Sequence, residues 1–301
     1  MNSTLRIAPV ALIAALLAPH AADAKVRVAA SLDDLASIAS SVGGDQIEVF
    51  AIARPTADPH RVEALPSYMV KVSRAQVFLK VGLGLDQWAD AIIDGSRNDK
   101  VKVVDCSKGI NVLEKPTGKV DASMGDVHPD GNPHYWLDPR NGAIVARNVA
   151  DALAAADPPN ATTYHQRAEA FAKEVEAAYA RQSAVAAKLP EKTIFTYHRS
   201  WSYFAAAFGL DVAANVEPVP GIPPTAKHLA ELIEIAKSRH VPVLIQEPYF
   251  PAESGKFLQR SAGVRPVVAS PSCDTPDAGS YLKHFDAILA DMAGAPAGAA
   301  K

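Results

Sequence analysis

Three histidines are set apart by their surroundings. His60 closes Ala57-Asp58-Pro59-His60, His134 lies in Gly131-Asn132-Pro133-His134-Tyr135-Trp136-Leu137-Asp138-Pro139, and His198 ends Phe195-Thr196-Tyr197-His198. The intervals of 74 and 64 residues exclude a local motif, so any convergence must be topological. Each residue falls past the carboxyl end of an expected strand, at the start of a loop or helix. Three neutral imidazoles and one oxygen donor form a tetrahedral site suited to Zn²⁺, whereas carboxylate-rich sets suit Mn²⁺ better. A lone histidine is ordinarily a buried residue with a satisfied hydrogen bond. His134 departs from that pattern, because Gly131 and Pro133 mark a loop, and loops on a rigid scaffold carry function. Pro133 pins the backbone before it, and Tyr135 and Trp136 are bulky enough to shield the ring. Asp138 is positioned to cap a helix that Pro139 opens.

The remaining histidines carry less weight. His165, His228, His240 and His284 fall in or beside helical stretches among charged residues, where a solvated face accounts for them. His228 and Glu231 have a metal-compatible i, i+3 spacing, but one such pair is common by chance. His128, between Asp126 and Asp130, reads as a solvated loop residue first and a transient metal contact second. The chain contains no His-Glu-x-x-His, no Gly-x-Ser-x-Gly elbow and no Gly-x-x-x-x-Gly-Lys phosphate cradle. A histidine cluster without these motifs points to binding without turnover.

The elements that must position these side chains alternate between strand and helix. Val26–Ala30, 47–52, 77–81 and 101–104 read as strands, with helices at 32–42, 62–74 and 86–93; Ser31 is placed to cap the first helix. Runs of Val, Ile, Leu and Phe without strict alternation indicate a parallel sheet covered on both faces. After a loop-like stretch at 107–133, apolar residues recur helically through Tyr164, Ala168, Phe171, Val175, Ala178, Val185 and Leu189, with Gln182 as the one polar intrusion. Such a helix would run about 40 Å, enough to join two lobes. Strands are then expected at 194–197, 212–216, 243–246 and 266–269, with helices at 201–208, 225–239, 253–262 and 279–292. The fold expected is α/β, two lobes with mostly parallel sheets flanked by helices and joined by one long rigid interlobe helix. Its divisions are 1–24, 25–157, 158–190 and 191–301. In such sheets ligands bind beyond the carboxyl ends of the strands, which places the site in the interlobe cleft.

Residues 1–24 read as a signal peptide: Arg6, an apolar run from Ile7 to Leu17, and Ala22-Asp23-Ala24 before the cut. No cysteine follows the cut to take a lipid, so the expected product is exported, periplasmic and not lipid-anchored. The formal charge of −3 gives no reason to expect a nucleic-acid partner. Cys106 and Cys273 are the only cysteines, and a disulfide and two buried thiols are equally compatible with them.

The motifs Ala57-Asp58-Pro59-His60, Asn132-Pro133-His134-Tyr135-Trp136-Leu137-Asp138-Pro139, Tyr197-His198 and Glu247-Pro248-Tyr249-Phe250 resemble those of the zinc/manganese solute-binding proteins of metal ABC importers. The resemblance spans the mature chain in order. It implies that His60, His134 and His198 are metal ligands, and His198 at a position often held by Glu in manganese binders favours zinc over manganese. It also implies a membrane ABC permease as partner, a monomeric receptor rather than an enzyme, and a periplasmic metallochaperone as a candidate second partner. Loop 113–133 resembles the family's His-rich loop only through His128. The family's last ligand, an Asp, is replaced by Ser270. That leaves Glu247, water, Asp274 or Cys273 for the fourth position, with Glu247 placed first because it follows a strand and Pro248 fixes its exit. An exported zinc hydrolase and a metal-binding adhesin are the competing readings.

Overall fold

The computed structural model describes residues 25–121 and 124–294. The expected signal peptide and its cleavage point lie outside them. No helix among the described residues is long and apolar enough to cross a membrane.

The first sheet contains β1 (Val26–Ala30), β2 (Ile47–Ala51), β3 (Val77–Lys80) and β4 (Lys102–Asp105), all parallel in the order β2-β1-β3-β4. Val28 pairs with Val49 on one side and with Val77 on the other. Helices α1 (Asp33–Gly43), α2 (Pro66–Val72) and α3 (Trp88–Ser96) connect the strands. Alternate residues serve opposite faces. Val28, Ala30, Val77 and Leu79 join the main core, while Ala29 and Phe78 pack with Ile52, Val72 and Ile92 on the other side. Double burial is the reason the inner strands β1 and β3 lack polar alternation, whereas the edge strand β4 is largely exposed and is not covered on both faces as expected.

The second sheet repeats the arrangement. Its strands are β5 (Thr193–Thr196), β6 (Asp211–Asn215), β7 (Val243–Gln246) and β8 (Arg265–Val268), parallel in the order β6-β5-β7-β8. Ile194 and Ile245 face the main core; Phe195 and Leu244 face a smaller core with Leu232, Ala236 and Leu258. Helices α6 (Ser202–Phe208), α7 (Ala226–Arg239) and α8 (Ala252–Ala262) belong to this lobe.

Between the sheets run α4 (Asn141–Ala156) and the 27-residue α5 (Ala161–Ala187), which at 1.5 Å per residue is about 40 Å long. Tyr164, Phe171, Val175 and Gln182 point inward as the periodicity predicts, but Val185 is exposed. The helix is more than a connecting rod. It packs along α4 and α1 of the first lobe and along α6 and the last helix, α9 (Ser280–Met292), of the second. α9 also reaches α1, where Ser37 Oγ donates to Asp277 O at 2.7 Å and accepts from Tyr281 N at 3.0 Å. One apolar core therefore includes Leu35, Ile38 and Val42 together with Phe171, Phe204, Tyr281 and Phe285.

Three helix starts differ from the sequence expectation. Ser31 does not cap α1; it is fully buried, and its hydroxyl donates to Asp86 and lies near Leu79 O. α2 begins at Pro66 rather than Val62, because the residue before a proline is forced out of the helical region, and Leu65 has ψ 142°. Asp138 does not cap a helix opened by Pro139. Tyr135–Leu137 form one 3₁₀ turn, α4 starts at Asn141, and the Asp138 carboxylate holds Arg140 through its backbone N–H and its guanidinium.

Candidate metal centre

His60 and His134 are built by one local device. In Asp58-Pro59-His60, Asp58 Oδ1 accepts from His60 backbone N at 2.9 Å and lies 2.8 Å from ring Nδ1. In Asn132-Pro133-His134, Asn132 Oδ1 accepts from His134 N at 3.0 Å and lies 2.9 Å from Nδ1. The proline between them narrows the backbone, so a short side chain two residues upstream folds onto both the amide and the ring. Asn132 Nδ2 donates to Arg199 O at 2.8 Å and Glu114 Oε2 at 3.0 Å, which fixes the amide with its oxygen toward His134. An acceptor at Nδ1 places the proton there and leaves Nε2 bare.

His198 uses a different support. It directly follows Tyr197 beyond β5, and Glu217 Oε2, carried past the end of β6, lies 2.6 Å from its Nδ1. Both side chains are 4 % exposed. The same Glu217 oxygen accepts from Gly221 N at 2.9 Å.

The three rings converge. One ring nitrogen from each of His60, His134 and His198 lies within 4.8 Å of the other two. Nε2 of His60 and of His134 is buried and has no hydrogen-bond partner among the described residues. Trp136 flanks His134 with ring centroids 5.2 Å apart, and Phe250 flanks His198 at 5.9 Å. Burial and then the adjacent histidines hold the His134 pKa well below the ordinary imidazole value. For His198 burial also acts downward, but the Glu217 hydrogen bond and the charges of Glu247, Glu217 and Asp58 outweigh it, and the net shift is upward.

His128 departs from the sequence reading. It is not solvated: its ring stacks on His60 with centroids 5.4 Å apart and planes 26° apart, and its Nε2 is buried without a partner. Burial, reinforced by His60 and His198, takes its pKa down to about 4. The only signal in the sequence was its lone presence in loop 113–133. His284 is not solvated either; its Nε2 lies 3.0 Å from Ser270 O. His228 Nε2 lies 3.0 Å from Asn215 O, while His165 and His240 are exposed.

Glu247 is fully buried beyond β7, with Oε1 accepting from Ser200 Oγ at 2.7 Å and Trp201 Nε1 at 3.1 Å, and with Oε2 unpartnered. Burial, opposed by the His198 charge, takes its pKa up to about 7. Ser270 ties the lobes together, its hydroxyl 2.6 Å from Pro55 O. Asp274 is exposed, and Cys273 Sγ contacts Thr275 O at 3.5 Å. Cys106 and Cys273 are both free thiols. Burial, then the charges of Asp34 and Asp33, pushes the Cys273 thiol far up, which makes it a poor source of thiolate.

The fold and these motifs have counterparts. Residues 28–295 match the model of the family described as zinc-uptake complex component A, periplasmic. A crystal structure of ZnuA superposes with a TM-score of 0.76 at 26 % identity, over 90 % of this chain and 99 % of that one. The manganese-bound solute-binding protein FpvC of Pseudomonas aeruginosa gives 0.75 at 26 % identity, over 90 % and 97 %. A putative metal-binding protein of Treponema pallidum is 27 % identical over 74 % of this chain and 72 % of its own length. The zinc-binding lipoprotein AdcA of Streptococcus pneumoniae is 24 % identical over 83 % of this chain, which spans only half of AdcA. With nearly all its described length inside the family match, the chain belongs to the zinc-uptake complex component A family, the metal-binding solute receptors of ABC importers.

Proposed function

We propose that this protein captures Zn²⁺ in the periplasm through His60, His134 and His198 and hands it to a membrane ABC permease. The observation that carries the reading is the meeting of three ring nitrogens within 4.8 Å, with His60 and His134 leaving Nε2 unpartnered. Relatives bear names for zinc, manganese and iron, so the donors must decide the metal. An all-imidazole set suits zinc; manganese favours carboxylate oxygens.

Two groups compete for the fourth position, Glu247 Oε2 and His128 Nε2, each buried and unpartnered. His128 is placed ahead because it sits against the ring of His60 at the edge of the cluster, whereas one Glu247 oxygen is already committed to Ser200 and Trp201. Calorimetry against a competing chelator tests the whole reading. One Zn²⁺ per chain with a dissociation constant below about 1 μM is expected, roughly −8 kcal/mol or better, and Mn²⁺ should bind far more weakly. Equal affinity for the two metals would overturn the choice of zinc. His128→Ala should weaken zinc by about tenfold or more, about 1.4 kcal/mol, while Glu247→Gln should not; the reverse result would give the position to Glu247.

A further inference from the structure

The segment Gly125–Asp130, which carries His128, lies between two openings beside the histidine cluster, and Asp126 lines both. On the His134 side the space is about 30 Å³, room for little more than a water molecule, and includes Asp126, His128 and Pro220. On the side of His60 and Phe250 it is about 180 Å³, bounded by Asp58, Arg61, Asp126 and Gly221.

This segment is seated on the second lobe at close quarters. Asp126 N donates to Pro220 O at 2.9 Å. A methyl group built on Gly125 would overlap Pro220 O, and one built on Gly221 would overlap the Asp126 carboxylate. Both glycines have positive φ, 63° and 75°, so glycine is needed there for conformation as well as for clearance.

Two chains of contacts run from the histidines to this seat. His198 Nδ1 meets Glu217 Oε2, which also accepts from Gly221 N, next to the Pro220 carbonyl that holds Asp126. His60 Nδ1 meets Asp58, and Arg61 lies 3.8 Å from both the Asp58 and the Asp126 carboxylates. Arg61 is 70 % exposed, so its ion pairs contribute little, and the backbone bond with the glycine contacts must carry the seating.

We propose that Gly125–Asp130 is a strap latched onto the Glu217–Ile222 turn, and that Asp126 on its Gly221–Pro220 seat controls the rate at which metal leaves the cluster. The latch joins the strap to the support of His198, since Glu217 fixes the ring of His198 and the backbone of the seat with one oxygen. This inference rests on the zinc-receptor reading above.

The test compares Gly221→Ala with Gly209→Ala. Gly209 has a similar φ of 65° but open space around a built methyl, so both variants bear backbone strain and only the first displaces Asp126. Zinc release into excess chelator would be followed by stopped flow, and hydrogen exchange at the Asp126 amide measured in metal-free protein. Gly221→Ala should still bind one zinc, release it at least about tenfold faster than wild type, and lose protection at the Asp126 amide. Gly209→Ala should match wild type in both. Wild-type release from Gly221→Ala, or equal acceleration in both variants, would overturn the latch. If the wild type itself bound no zinc, the receptor reading would fail, and the exchange arm would still decide whether the strap is seated through Gly221.

Discussion

Glu217 Oε2 and His198 Nδ1 meet at 2.6 Å inside the protein, from segments that follow different strands. The other two cluster histidines take their Nδ1 partner from two residues upstream. His198 alone depends on a residue 19 positions away to hold its ring.

Replacing that partner should cost metal. Glu217→Gln keeps an acceptor for the ring but removes the charge, and mutation of the group that orients a ligand histidine typically lowers metal affinity about 10- to 100-fold. Chelator-competition titrations of the purified variant would measure the loss. An affinity equal to wild type would show that the carboxylate charge is irrelevant to His198.

Zinc affinity should fall with acidity, because an imidazole must be deprotonated to ligate. Against burial, the Glu217 hydrogen bond and nearby carboxylates shift the His198 pKa upward, so a proton competes for His198 at higher pH than for an ordinary imidazole, whereas His134 is held well below the ordinary value and stays bare. The slope of log affinity against pH between about pH 7.5 and 5.5 should therefore stay below three. A slope of three would mean that all three rings bind protons in the free protein.

A second pH effect belongs to the lobe interface. Asp34 of α1 accepts from Cys273 N at 3.3 Å and from the Ser272 hydroxyl, both in the loop after β8. Burial, only partly offset by those hydrogen bonds, takes its pKa up to about 7. An unfolded chain would release that proton near pH 3.9, so the native state holds a proton the unfolded state has lost. The stabilisation is complete below about pH 4 and is lost as pH rises through about 7. Asp34→Asn resembles the neutral form and has no proton to lose. Its melting temperature should exceed that of wild type by a few degrees at pH 8, and the gap should close by pH 4. A gap constant with pH would contradict the assignment.

Metal loading should stabilise the protein without drawing the lobes together. A single apolar core crosses between them through α5 and α9, leaving no free hinge. At zinc a hundredfold above the dissociation constant the gain is about 2.7 kcal/mol. Thermal unfolding should report that gain, while small-angle scattering gives nearly equal radii of gyration with and without zinc. A clear contraction would show that the lobes move as separate bodies.

The sequence determined what is local. The inner strands β1, β3, β5 and β7 show as mostly apolar runs, and α5 shows as a long helical period, because burial on two faces or one stripe constrains residue type along the chain. Asp58-Pro59-His60 and Asn132-Pro133-His134 carry the partner of each ring inside the motif, so those two rings are legible from the chain alone. Helix starts were less legible where a polar side chain had a better partner elsewhere: Ser31 turns to Asp86 and Asp138 to Arg140, and neither caps a helix. The tertiary structure decided everything that depends on distance in space rather than in sequence. It brings Glu217 to His198, lays His128 on His60, and converts the ligand-like position of Ser270 into a tie to Pro55. Hydrogen bonds and ring contacts act over a few ångströms, and only the folded sheets bring segments 19 to 215 residues apart within that range.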